Sequence, residues 1–361
     1  MRTASRWTVL VAGLAAGVIL VTCGPSAASA ARTESSAPTS ARTAGEALGN
    51  YRITGIEDAI GCLTAHRCVA VGYGGGRAPG QVVTVVGGKQ VRLAVARSAS
   101  NLIAVSCPNR FGCWAMGPPR NGHDGWVLVK IGPTGSITKV TSVRLPAQVS
   151  PSFISCTTRT SCEVFGTTTN AKGRQERWYL ASWNGSKLSH RYAAGCGNCS
   201  NAYSPGGISC WQTTCVAVGQ WWCSGSTCQG RDAVVTTSRG KVEVAADLIN
   251  KGGLSGVSCV SSSTCYAISV DSVVTLDNGT VGATQNLPVY AGPVECAGGT
   301  CWAAANSPAG FVMIVNGAPT GSPLADPALA VPSAIARRGD GFAAVGKPAS
   351  GGARVSEVVI N

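Results

Sequence analysis

Hydrophobic and polar positions alternate in short bursts along this chain, and the bursts recur in a fixed order. Each unit opens with an apolar run that ends in cysteine, as in Ile154-Ser155-Cys156. A turn of four or five residues follows, then a second apolar run such as Cys215-Val216-Ala217-Val218-Gly219. A variable loop rich in glycine and proline leads to a third run, at residues 81–86, 126–131, 178–183, 233–237, 272–276 and 311–315. Gly87-Gly88, Asn184-Gly185, Asp277-Asn278-Gly279 and Asn316-Gly317 end most of these, and a fourth run begins, as at 137–145 and 242–248. The runs are rich in Val, Ile and Thr, alternate with period two in places, and are too short for helices. Glycine and Asn-Gly supply the positive φ angles that tight hairpins need. The pattern predicts four antiparallel strands per unit.

Six units carry two cysteines each: Cys62 and Cys68, Cys107 and Cys113, Cys156 and Cys162, Cys210 and Cys215, Cys259 and Cys265, Cys296 and Cys301. A seventh copy at 334–346, AIARRGDGFAAVG, aligns Ala336 and Phe342 with the cysteines. First cysteines are spaced by 45, 49, 54, 49 and 37 residues, with 40 more to Ala336. Such a period marks a repeat architecture. Seven units of about 44 residues with four strands each predict an all-β, seven-bladed β-propeller. A linear β-solenoid is the rival, but its rungs are shorter and more strictly spaced. The last unit offers three strands, at 333–335, 342–346 and 354–360, before the chain stops. Residues 50–54 are expected to supply the fourth and fasten the ring, removing its open edges.

The pattern apolar-S-C-x5-C-x-A-V-G, followed by strand, turn and strand, resembles exported bacterial propellers related to the Asp-box, sialidase-like group. The resemblance spans residues 51–361. Thr275-Leu276-Asp277-Asn278-Gly279-Thr280 keeps the Asp and Gly of an Asp box but not its Trp, and Ser182-Trp183-Asn184-Gly185 keeps only the shape. The resemblance implies a carbohydrate-active hydrolase as the alternative to a binding module.

The N-terminus reads as an export signal. Arg2 and Arg6 precede an apolar run of 15 residues, Trp7 to Val21, too short for a stable membrane span. Cleavage after Ala28-Ser29-Ala30 gives a signal peptide of residues 1–30. Alternatively, Leu20-Val21-Thr22-Cys23 resembles a lipobox, which gives a signal of residues 1–22 and a lipidated Cys23. Residues 31–49, rich in Ala, Ser and Thr, read as a disordered tether, and residues 50–361 as the propeller domain. Of 17 cysteines, 12 lie in the motifs. The remainder is Cys23 with Cys196, Cys199, Cys223 and Cys228. An exported chain with this count is expected to be oxidised. Each motif pair flanks a hairpin turn, where antiparallel partners stand about 4.5–5.5 Å apart. Closing a loop of about seven residues stabilises by roughly 2.4 kcal/mol on the chain-entropy model. The other four cysteines fall in loops of the third and fourth units, spaced C-x2-C and C-x4-C. Two disulfides are preferred there over a zinc site, and no cofactor or metal is expected.

In a propeller the turns joining strands one to two and three to four share one face. The other face carries the loops joining strands two to three and blade to blade. On that loop face Trp221 and Trp222, beside Arg231 and Asp232, form the candidate ligand site. One tryptophan could stack on a sugar or peptide, or both could simply cover the disulfides. The second-to-third loops hold seven cations (Arg77, Arg120, Lys172, Arg174, Arg177, Arg231, Lys347) against Asp124, Glu176, Asp232 and Asp271. The whole chain carries a net charge of +13. This excess favours an anionic glycan, a cell-wall polymer or a protein. Nucleic acid is not expected, since no stripe of basic and aromatic residues alternates, and the membrane is expected only through a lipid anchor at Cys23. Enzyme chemistry is weakly supported. The chain has three histidines, and the carboxylates a glycosidase would pair reduce to Asp124, Glu176 and Asp232. The Arg338-Gly339-Asp340 tripeptide at a turn is expected by chance in so basic a chain. The reading is a noncatalytic extracytoplasmic binding or scaffold propeller.

Overall fold

The computed structural model describes residues 49–360, apart from residues 55, 76–77, 122–124, 147, 170–174, 193–200, 223–230, 239–240, 250–252, 308, 327–328, 340 and 350–354. The described chain is all-β. It opens with β1 (Gly49–Thr54). Sheet one then contains β2 (Ile56–Thr64), β3 (Arg67–Tyr73), β4 (Gly80–Val86) and β5 (Lys89–Ala96). Sheet two contains β6 (Ala104–Asn109), β7 (Gly112–Gly117), β8 (Trp126–Ile131) and β9 (Ile137–Val143). Sheet three contains β10 (Val149–Thr158), β11 (Ser161–Thr169), β12 (Gln175–Trp183) and β13 (Leu188–Tyr192). Sheet four contains β14 (Asn201–Trp211), β15 (Thr214–Trp222), β16 (Arg231–Ser238) and β17 (Lys241–Ile249). Sheet five contains β18 (Gly256–Cys259), β19 (Thr264–Ile268), β20 (Ser272–Asp277) and β21 (Thr280–Asn286). Sheet six contains β22 (Tyr290–Ala297), β23 (Thr300–Ser307), β24 (Ala309–Val315) and β25 (Ala318–Ala325). Sheet seven contains β26 (Leu329–Arg338), β27 (Gly341–Pro348) and β28 (Val355–Ile360), with β1 returning as its outermost strand.

All seven sheets are four-stranded and antiparallel. The third apolar run of each repeat becomes the third strand almost residue for residue, as at Trp126–Ile131. The closing strand also forms as expected: β1 pairs with β28 from Gly49↔Ile360 to Thr54↔Val355. Inner strands pack in circular order, β2 on β6, β6 on β10, and finally β26 on β2. The result is a propeller of four-stranded antiparallel blades, with the first strand of each motif at the axis.

Radial sheets explain the unbroken apolar second strand. In β3, Cys68 and Ala70 pack with Ala336, Ala343 and Val345 of sheet seven. The alternate residues Val69 and Val71 pack with Cys113, Ala115 and Val129 of sheet two. Both faces of the strand are buried, so period two leaves no polar position. Burying one such valine contributes about 1.5–3 kcal/mol. The outermost strands meet water instead, and β5 is exposed over most of its length. Aromatic residues fill the wider gaps: Trp114 meets Trp183 edge-on at 5.6 Å between sheets two and three.

All six motif pairs are disulfide-bonded within their own hairpins. Their Cα atoms stand 3.8–4.1 Å apart, closer than the expected antiparallel spacing. In five of the six hairpins the two cysteines are directly opposed in register, as Cys62 is to Cys68. The seventh copy needs a correction. Ala336 opposes Ala343, and Arg337 opposes Phe342. Arg337, not Ala336, therefore stands in the place of the first cysteine. The spacer here is four residues, as between Cys210 and Cys215, rather than the five that aligned Ala336 with a first cysteine.

Candidate functional site

The seven inner strands enclose an axial cavity of about 570 Å³. An inner strand is an edge strand, so its backbone N–H groups on the axial side need partners. The serine of the motif supplies them from the preceding sheet. Ser106 Oγ accepts from Cys156 N at 2.9 Å, Ser155 Oγ from Cys210 N at 3.0 Å, Ser209 Oγ from Cys259 N at 2.9 Å, and Ser258 Oγ from Cys296 N at 3.0 Å. Four consecutive junctions are thus linked at one level of the cavity. The sequence displays each Ser-Cys pair but hides the link, because the partner lies about one repeat away.

The remaining three junctions lack that serine, and Glu295, Ala336 and Gly61 take its place. A Cβ at Gly61 would come within 2.8 Å of Cys107 Sγ, so the close approach of sheets one and two leaves no room for a side chain. Glu295 lines the cavity one residue before Cys296, and Arg337 of the neighbouring sheet lines it too. Burial pushes the Glu295 carboxyl up to about 7, against the opposing pull of the Arg337 charge. Towards the other end of the cavity stands Asp58, whose Oδ2 accepts from Asn101 Nδ2 at 2.8 Å. Burial raises the Asp58 pKa, while the Asn101 hydrogen bond and the Lys347 charge hold it down. Sequence reading missed both acids. Each sits inside an apolar inner strand, and only the ring brings them to one cavity.

The backbone places the residues of the loop-face cluster in strands. Trp221 and Trp222 end β15, and Arg231 opens β16, with Trp221 opposite Arg231 and Asn201 opposite Trp222. These were expected as loop residues. The strands run on past their apolar segments, so the tryptophans close a hairpin rather than sit in its loop. Asp232 needs a clearer correction: it lies in β16 opposite Gln220 and Leu248, and only 1% of it is exposed. It is a buried strand residue, not a solvated loop carboxylate. Of the carboxylates considered for glycoside cleavage, Glu176 lies in β12 and Asp124 falls outside the described residues. Cys196, Cys199, Cys223, Cys228 and Cys23 also fall outside them. Among the described residues, no group of three or more His, Cys, Asp and Glu is placed to hold a metal ion, and no helix is long and apolar enough to cross a membrane.

No family model matches the chain, and no curated protein matches it significantly. Solved structures do, at the level of fold. The WD40 β-propeller domain of Doa1 is 7% identical with a TM-score of 0.56, over 86% of this chain and 95% of that one. U3-55K is 9% identical with the same TM-score, over 86% and 98%. YCF48 bound to D1 peptide is 13% identical with a TM-score of 0.51, over 86% and 97%. At such identities the likeness carries the propeller architecture and nothing more.

Proposed function

We propose that this chain is an exported, noncatalytic binding or scaffold propeller of seven blades, acting at or outside the cell surface. The observation that carries this reading is the frame. Six disulfides, four seryl links and a closing N-terminal strand hold a ring whose loops and turns vary from sheet to sheet. A rigid scaffold with variable loops suits recognition, because little ordering is lost on binding. Six disulfides also suit an oxidising compartment, in keeping with residues 1–30 as a signal peptide, or residues 1–22 with a lipid anchor on Cys23. Cys196, Cys199, Cys223 and Cys228 complete the oxidised set as two further bonds. The net charge of +13 favours an anionic glycan, cell-wall polymer or acidic protein surface as partner.

The test is a glycan array and a cell-wall pull-down with the mature chain, run beside glycosidase assays on the same preparations. Retention of a partner without turnover supports the reading. Hydrolysis that is lost on changing Asp124 or Glu176 would replace it with the hydrolase. Trp222→Ala and Arg231→Gln report on the loop face, where a loss of binding would place the site.

A further inference from the structure

The turns that carry the cysteines build a second surface, on the face opposite the loop cluster. In four consecutive sheets the turn between the first and second strands holds or adjoins arginine. These are Arg337 and Arg338 in sheet seven, Arg67 in sheet one, Arg110 in sheet two and Arg159 in sheet three. The same turns in sheets four, five and six hold Gln212-Thr213, Ser261-Ser262-Ser263 and Gly298-Gly299. The sequence of these four turns holds one carboxylate, Asp340 in sheet seven, which lies outside the described residues.

These turns are one contiguous surface. A Cβ at Gly339 would stand 3.2 Å from the Ala65 side chain, which brings the turn of sheet seven against that of sheet one. Arg67 Nη1 donates to the Pro133 carbonyl in sheet two at 2.8 Å. Arg159 Nη2 donates to the Phe111 carbonyl at 3.0 Å, and Trp114 Nε1 donates to the Arg159 carbonyl at 2.8 Å. At the centre of the arc the Phe111 ring lies 47% exposed. The Arg110 and Arg159 guanidiniums stand 5.0 and 4.8 Å from its centroid. Trp211, 38% exposed, begins the next turn and shares the cavity mouth with Arg337.

Some of these groups also brace the turns, through the Pro133 and Phe111 carbonyls, yet five cations on neighbouring turns leave this face with a strong positive field. Their planar forks match carboxylates or phosphates. Their spread over four sheets suits a ligand with repeated charge along a chain, and exposed rings among them offer apolar faces to stack on sugars. We propose that the cysteine-turn face binds an acidic polysaccharide, laid along the arc from Arg337 to Arg159 with a sugar ring on Phe111. This rests on the binding-propeller reading and moves its site to the opposite face.

The experiment titrates the oxidised mature chain with polygalacturonate, a neutral glycan of similar length and poly-glutamate, at low and high salt. Variants are Arg110→Gln with Arg159→Gln, Arg110→Gln alone, Phe111→Ala and, on the other face, Trp222→Ala with Arg231→Gln. Matching melting temperatures and a complete set of disulfides establish that each variant is folded. The expected result is salt-sensitive binding of polygalacturonate, about tenfold weaker in the double arginine variant, about threefold weaker in Arg110→Gln and in Phe111→Ala, and unchanged in the loop-face variant. Three results overturn the proposal: no binding of polygalacturonate, binding of poly-glutamate as tight as that of the polysaccharide, or loss of binding only in the loop-face variant. The last would sink this site and leave the binding-propeller reading standing.

Discussion

Arg337 and Phe342 face each other across β26 and β27 in the register that paired cysteines hold in the other sheets. Phe342 is 1% exposed and packs on Phe311 at 4.3 Å and Trp302 at 5.0 Å, joining sheets six and seven. Sheet seven has an aromatic anchor where the others have a covalent bond.

Replacing both residues with cysteine should therefore form a seventh disulfide without raising stability. A loop this short contributes roughly 2.4 kcal/mol on the chain-entropy model, while losing a buried phenylalanine costs about 3–5 kcal/mol. Peptide mapping should find the new bond, and denaturant titration should find the variant no more stable than the parent. A clear gain would mean the aromatic contact contributes little.

Each seryl link can be cut singly. Ser258→Ala leaves the Cys296 N–H without its acceptor in a site where Ser258 is 2% exposed. An orphaned buried donor costs about 1–3 kcal/mol. The expected result is a lower unfolding midpoint at unchanged m-value, with Ser106→Ala milder because that serine is only half-buried. Equal stability of parent and Ser258→Ala would remove the links from the account of the frame.

Glu295 gives the fold a pH dependence with a definite sign. Its carboxyl is raised from the ordinary 4.5 to about 7 by burial. A raised folded value means a contribution fully present below about pH 4.5 and lost as the pH climbs through 7. Melting temperature measured from pH 4.5 to 8 should fall more steeply in the parent than in Glu295→Gln. Glu295→Ser should do better still at pH 8, removing a buried charge and offering a hydroxyl at the level where the other four links lie. Parallel pH profiles for parent and Glu295→Gln would contradict this assignment.

Closure can be tested by length. A chain starting at residue 43 keeps β1, while one starting at residue 55 leaves β28 as an unpaired outer edge. The shorter chain should melt lower and self-associate, since open strands recruit partners. Sedimentation and calorimetry on the two chains decide it, and identical behaviour would show the edge to be harmless.

How much could be read beforehand depended on distance along the chain. The strands, the hairpin disulfides and even the returning strand were legible, because each is a local pattern or a missing count in one. Asp232 was not, since the apolar run begins at Ala233 while the pairing starts two residues earlier. Arg337 was hidden by a one-residue shift that only the register of β26 on β27 resolves. The arginine arc lay in plain sight at 67, 110, 159 and 337–338, but residues far apart in sequence become neighbours only when β26 packs on β2. Charge on the loop face drew attention because those loops are long. The short cysteine turns looked purely structural.

β1 precedes every other described strand and is the last of them to find its partner. β1 must wait for β28, so the ring cannot shut until that strand has been made. The cysteine pairs obey the opposite schedule. Each spans only five or six positions, so a hairpin can be oxidised soon after it appears, with few wrong thiols yet in reach. Six of the seven sheets could thus be stapled while the chain is still growing, and the closing act of folding would be a single handshake between β1 and β28.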